Sequence, residues 1–304
     1  MSKILGKYKI LKDLGRDSLG NECFKVSAGL KEWGEFVLTK VARTESNEHF
    51  SFTAQSLSTL SHKNLLHFKV EEDTEYFYFL WHLREDIDEF SYRAFCDEIS
   101  SDDCNESGDF ADELANSERK DDEEGEGYGG SSLDYVRLFE CALQILDALK
   151  YIHTKGFYHG NLNPSNILLD GNNRVFLLDF GRSYFYAPLV GSTDSKALKA
   201  GLESSARFYA PEQLGFLGAL DSGAADSRAG KESDIFSFGL CMLKLLLDAW
   251  EYDDLDSYTK PQDLDSIFES ILSKYELDSV EKELLSLVKQ CCAFLPKREA
   301  NCTI

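Results

Sequence analysis

The chain has 304 residues, 43% of them apolar and 12% aromatic, which is ample for a packed core and far from the composition of a disordered protein. Its net charge of -22 excludes nucleic acid and an anionic membrane as main partners. The eight cysteines form no C-x-x-C pair and read as small buried hydrophobes in a reducing compartment, so the expected location is cytoplasmic. Met1 to Leu14 has no apolar run fit for a secretory signal, and Phe238 to Leu247, broken by Lys244, is too short to span a membrane. Export as an effector, by a signal without a clear sequence rule, stays open.

Residues 1–83 read as a small strand-rich unit. Tyr8 to Gly15 alternates polar and apolar residues before a glycine, and strands follow at Cys23–Val26 and Gly34–Val41. Phe50, Ala54, Leu57 and Leu60 recur at helical spacing within Glu45–Leu60, and Leu65–Val70 and Glu75–Trp81 read as two more strands. Residues 84–98 are expected to form a hinge and a short helix. Ile99 to Ser132 holds twelve Asp and Glu against Arg119 and Lys120, with few large apolar residues. Such a segment buries too little surface to offset its ordering entropy and reads as an acidic disordered insertion. A solvated spacer is its plainer role; docking a basic partner is the alternative.

Residues 133–304 read as helical. Leu138, Ala142, Ile145, Leu146, Leu149 and Ile152 mark a long amphipathic helix, Ser233–Trp250 a buried helix, and Leu264–Lys274 and Val280–Ala293 two more. Strands, an acidic loop and then helices make an α+β chain. Between the first two of these helices lie Tyr158-His-Gly-Asn-Leu-Asn-Pro-Ser-Asn-Ile-Leu-Leu169 and Leu177-Leu-Asp-Phe-Gly181.

These two stretches resemble the catalytic loop, H-R-D-L-x-x-x-N, and the D-F-G turn of the eukaryotic-type Ser/Thr protein kinase superfamily. Other matches keep the same order: Lys40 for the third-strand lysine, Ala210-Pro-Glu212, Asp234 opening the central helix, and Arg298 as the late arginine that pairs with Glu212. The resemblance implies a bilobal kinase-like fold, with a small antiparallel β-rich lobe and a mainly helical lobe. It also implies ATP and Mg²⁺ as cofactors, with Lys40 on the phosphates, Gly15 and Gly20 in the phosphate loop, and Asn166 and Asp179 on the metal. His159, Phe180, Gly181, Glu212, Asp234 and Arg298 would be structural.

Several matched positions depart from the family. Asn161 stands for the catalytic Asp, and a neutral amide cannot take a proton as a carboxylate does. Asn163 stands for the catalytic-loop Lys and Gly160 for the Arg that clamps a phosphorylated activation loop. Both Asn have a blander reading, as loop residues bonding nearby backbone. Asp17 puts a carboxylate where phosphate oxygens should bind, and Glu22 falls where an apolar residue covers adenine, unless a one-residue bulge moves it. Leu38 replaces the usual Ala and would crowd that surface. Thr53 stands where a Glu should pair with Lys40, with Glu45 and Glu48 too far upstream. Ser205 keeps a hydroxyl facing the catalytic loop, and His153 reads as a core residue.

Counting intact parts of the site favours a pseudokinase that acts through protein partners, whether a kinase, a kinase substrate or a basic protein, with ATP and Mg²⁺ binding weakened. The alternatives are an active Ser/Thr kinase with a non-standard site, resting on Lys40, Asn166 and Asp179, and an ATP-binding sensor without turnover.

Overall fold

A computed structural model describes residues 7–16, 21–28, 34–43, 50–82, 87–89, 134–180, 206–213, 230–249 and 264–293. The expected insertion 99–132 lies outside them, as do Asp17, Gly20, Glu45, Glu48, Gly181, Ser205 and Arg298.

The first part of the chain is a five-stranded antiparallel sheet in the order β1-β2-β3-β5-β4. Its strands are β1 (Lys9–Arg16), β2 (Glu22–Ser27), β3 (Glu35–Ala42), β4 (Phe68–Glu72) and β5 (Tyr76–His82), and helix α1 (Phe50–Ser58) follows β3. Side chains alternate across a strand, so register sorts them between two faces. In β3 and β5, Val37 pairs with Trp81, Thr39 with Phe79 and Val41 with Phe77. Val41, Phe77, Phe79 and Trp81 join the main core with Ala54 and Leu57 of α1, Phe68 and Phe180. The intervening pairs are Leu38 with Leu80 and Lys40 with Tyr78. They lie on the other face, where Val26, Leu38, Tyr78 and Leu80 form a separate cluster under Tyr8, Phe24, Phe36 and Tyr76. Both faces of β3 are therefore buried.

The stretch expected as a strand over Leu65–Val70 divides. Phe68 onward pairs with β5, whereas Leu65 bridges Leu177. Leu66 N–H donates to Leu177 O at 2.8 Å, and Leu177 N–H donates to Asn64 O at 2.9 Å. The Asn64 side chain donates to Val175 O and Gln144 Oε1, both at 2.8 Å. These bonds fasten the small sheet to the helical part. Within 84–98, β6 (Ile87–Glu89) pairs with β7 (Ile167–Asp170), which pairs with β8 (Val175–Leu177).

The helical part contains α2 (Tyr135–Thr154), α3 (Lys231–Ala249), α4 (Leu264–Lys274) and α5 (Ser279–Ala293). Asp134 caps α2 by accepting from Arg137 N–H at 3.0 Å, and Leu138, Cys141, Ile145, Ala148, Leu149 and Ile152 form its buried stripe. Asp278 and Glu281 exchange hydrogen bonds with each other's backbone N–H, a reciprocal cap for α5. Gly239 lets α5 lie against α3: a Cβ there would stand 2.8 Å from Cys291 Cβ and 2.9 Å from Cys292 Sγ. Cys141, Cys241 and Cys292 are buried and free. Among the described residues no helix is long and apolar enough to cross a membrane. The architecture is a bilobal α+β fold.

Candidate functional site

Asp234, 1% exposed in the first turn of α3, organises the loop that precedes β7. Its carboxylate accepts from His159 N–H and Gly160 N–H, both at 2.8 Å, and shares a 2.7 Å bond with His153 Nε2. Hydrogen bonds to a buried carboxylate are the stronger kind, and three of them fix the loop's entry. His153, read from the sequence as an ordinary core residue, is thus part of this clamp. Its position in the last turn of α2 carried no local signal of a partner on α3. His159 is fully buried, and burial pushes its imidazole down to about 4, against the opposing charge of Asp234.

Beyond His159, Gly160 takes φ 75°, a conformation costly for most other residues. Asn163 caps the short turn Pro164–Asn166: its Oδ1 accepts from Ser165 N–H at 3.1 Å. Its Nδ2 donates to Asn161 O at 3.0 Å and lies 3.3 Å from Asn161 Oδ1. The local, backbone-bonding role therefore describes Asn163. Asn166 donates to Asn161 O at 2.8 Å, and its own carbonyl accepts from Leu178 N–H at 3.1 Å. That bond sets the end of β8 against the loop and brings Asp179 to it.

Asp179 has φ 59°, a left-handed backbone that Asp tolerates better than most residues. Its Oδ2 accepts from Asn161 Nδ2 at 3.1 Å. Phe180 is buried against Phe68 and Trp81, with ring centroids 5.2 and 6.0 Å apart. Asn161, 7% exposed, is engaged at both ends of its amide, because Tyr209 Oη donates to its Oδ1 at 3.2 Å. That Tyr209 meets Asn161 was not legible in the sequence, where the two lie 48 positions apart. Gln213 completes the arrangement, donating from Nε2 to Gly160 O at 2.9 Å and accepting from Ala210 N–H at 3.0 Å. Glu212 accepts from Ser233 Oγ at 2.6 Å, while its expected partner Arg298 is outside the described residues.

The small sheet meets this loop differently from the sequence-based expectation. Lys40, expected on the phosphates, lies on the face opposite Phe180 and α1. There its Nζ donates to Glu22 Oε2 at 2.8 Å and sits 4.0 Å from the Tyr76 ring centroid. Burial disfavours its charge, but the hydrogen bond and charge of Glu22 outweigh that and hold its pKa above the ordinary lysine value. Thr39, 3% exposed, is the β3 residue on the inner face, with Cys23 Sγ at 3.6 Å from its Oγ1. Glu22 and Leu38, expected over the adenine, share the outer face with Lys40. The register places them there: Glu22 pairs with Lys40, and Cys23 takes the inward place beside Thr39, while β1 slips against β2 between Ile10 and Lys12 and again between Asp13 and Gly15. Gly15, expected to open a turn, lies inside β1 at the second slip with φ 81°. Thr53 sits in α1, so the family's Lys–Glu pair has neither member in its place on the inner face.

Among the described residues no group of three or more His, Cys, Asp or Glu is arranged to hold a metal ion. Asn166 and Asp179, the two expected ligands, both hang on Asn161, one through its carbonyl and one through its side chain.

The sequence pattern of the protein kinase domain family fits residues 120–303, more than half of the chain. The 3-phosphoinositide-dependent protein kinase B of Dictyostelium discoideum is 32% identical over 130 residues, covering 43% of this chain and 13% of that protein. The mitogen-activated protein kinase kinase 9 of Arabidopsis thaliana is 39% identical over 111 residues, covering 36% of this chain and 32% of that protein. The chain therefore spans a third or less of these relatives' length. Catalytic loop, D-F-G turn, helical clamp and sequence agree: the chain belongs to the protein kinase domain family.

Proposed function

We propose that this chain is a catalytically impaired member of the kinase family, a pseudokinase that works by holding a partner protein. The observation that carries this reading is Asn161. Phosphoryl transfer needs a group that accepts the acceptor's proton, and a carboxamide is not basic enough to do so. Here the amide donates to one carboxylate oxygen of Asp179, Oδ2, and accepts from Tyr209. General-base catalysis alone supplies about 10²- to 10⁴-fold of a rate, so the missing base is one loss among several.

Position 39 adds to it. A nucleotide's phosphates call for a cation on the inner face of β3, and Thr39 offers a hydroxyl while Lys40 is spent on Glu22. Mg²⁺–ATP therefore fits these residues poorly: Asn166 and Asp179 would supply ligands, but the inner face of β3 offers the phosphates no lysine, and Asn161 Nδ2 already donates to one Asp179 oxygen. The partner is a protein, as for kinases generally, and the charge of -22 favours one with a basic face. The expected setting is the cytoplasm.

Nucleotide binding tests this reading. Thermal melting with millimolar ATP, with and without Mg²⁺, is expected to show no shift, since stabilisation grows with the ratio of ligand to Kd. A rise of several degrees that requires Mg²⁺ and disappears in Asp179→Ala would favour an ATP-binding sensor or an active enzyme instead.

A further inference from the structure

We infer that Tyr209 is an internal occupant of the place where a substrate hydroxyl would dock, closing the catalytic loop against a Ser or Thr acceptor. The inference rests on the kinase-type reading of position 161, whose side-chain oxygen faces the hydroxyl that receives the phosphoryl group. An acceptor hydroxyl docks by donating to that oxygen. Tyr209 Oη already does so at 3.2 Å.

The amide oxygen is crowded further. A carboxamide oxygen has two lone pairs, and Asn163 Nδ2 lies 3.3 Å from it beside Tyr209 Oη. At the nitrogen end, one N–H donates to Asp179. Asn161 is 7% exposed and Tyr209 5%, so the contact is sealed rather than bridged by solvent.

The occupant is also fastened. Gln213, four residues on, ties the segment 206–213 to the Gly160 carbonyl at 2.9 Å and braces its own Ala210 N–H. These two ties, from Tyr209 and Gln213, are neutral hydrogen bonds between buried groups. They need neither a phosphate nor the arginine that Gly160 replaces. An entering peptide must displace a buried tyrosine hydroxyl or lift the whole segment. The loop is thus shut to acceptors for a reason separate from the missing base.

Accessibility of position 161 reads this directly. In the full chain, Asn161→Cys is treated with iodoacetamide and alkylation at that position is followed by peptide mass spectrometry, which separates it from the native thiols. With Tyr209 present, labelling is expected to be slow, and Tyr209→Ala should accelerate it by about ten-fold or more. Gln213→Ala, which releases the second tie but keeps the ring, should also accelerate it. It serves as the deciding variant if Tyr209→Ala fails to fold. Labelling as fast with Tyr209 in place as in the denatured chain, or unaltered by a folded release variant, overturns the inference. The assay contains no nucleotide, so its outcome is separate from success or failure of the impaired-kinase reading.

Discussion

Lys40 Nζ and Glu22 Oε2 lie 2.8 Å apart on the outer face of the small sheet, while Thr39, one residue earlier, faces the core that holds Phe180. The lysine that matches the family's phosphate contact by order is here paired with Glu22. Glu22 is 41% exposed, and such pairs stabilise by about 0.2–1 kcal/mol. Lys40→Ala is expected to cost no more than about 1 kcal/mol in urea unfolding and to leave any response to ATP unaltered. Thr39→Lys is the change that puts a cation on the site side. An ATP response that is lost in Lys40→Ala would place the lysine in the site after all.

The catalytic loop, the D-F-G turn and the four long helices were legible because each combines a local signature with strong periodicity. The side of β3 was not. Leu38 is 0% exposed, Thr39 and Val41 3%, so both faces are buried and alternation carries no polar mark of the inner one. The slips between β1 and β2 put Gly15 inside a strand instead of at its end. Partners far apart in sequence were equally invisible: nothing near Asn161 names Tyr209, and nothing near His153 names Asp234. That Asn161 lacks a carboxylate is plain from the sequence; which side of the sheet Lys40 faces is not.

Asp234 is expected to be the least replaceable polar residue described. Asp234→Asn keeps the shape but removes the charge from three hydrogen bonds and forces a donor toward backbone N–H groups. A loss of about 2–3 kcal/mol in denaturant unfolding is predicted, with His153→Ala costing about 1 kcal/mol. Equal, small effects of the two changes would show that the carboxylate does not organise the loop.

His159 makes stability depend on pH. Its folded pKa, about 4, lies below the unfolded value near 6.5. Between these values the unfolded chain binds the extra proton, so its contribution is complete above about pH 6.5 and is lost as pH falls toward 4. The slope from this one group approaches about 1.4 kcal/mol per pH unit. Unfolding measured from pH 7.5 to 4.5 should show a shallower fall in His159→Gln than in wild type. Parallel curves would mean the imidazole is not held neutral.

Gly239→Ala sets two effects against each other. Alanine favours a helix by about 1 kcal/mol over glycine, but the added methyl would meet Cys291 Cβ at 2.8 Å and Cys292 Sγ at 2.9 Å. Overpacking of that kind costs about 1–3 kcal/mol, so a net loss is expected, visible as a lower Tm. Partial recovery in Gly239→Ala combined with Cys291→Gly would place the clash at α5; a variant more stable than wild type would show that the helices have room to part.

Phosphate transfer tests the central claim most directly. Purified chain with radiolabelled ATP and Mg²⁺ is incubated with a mixture of basic and acidic proteins, and incorporation is compared between wild type and Asp179→Ala. The account predicts that wild type stays at the level of the Asp179→Ala control. Incorporation by wild type that vanishes in Asp179→Ala would contradict it and make the chain an active kinase.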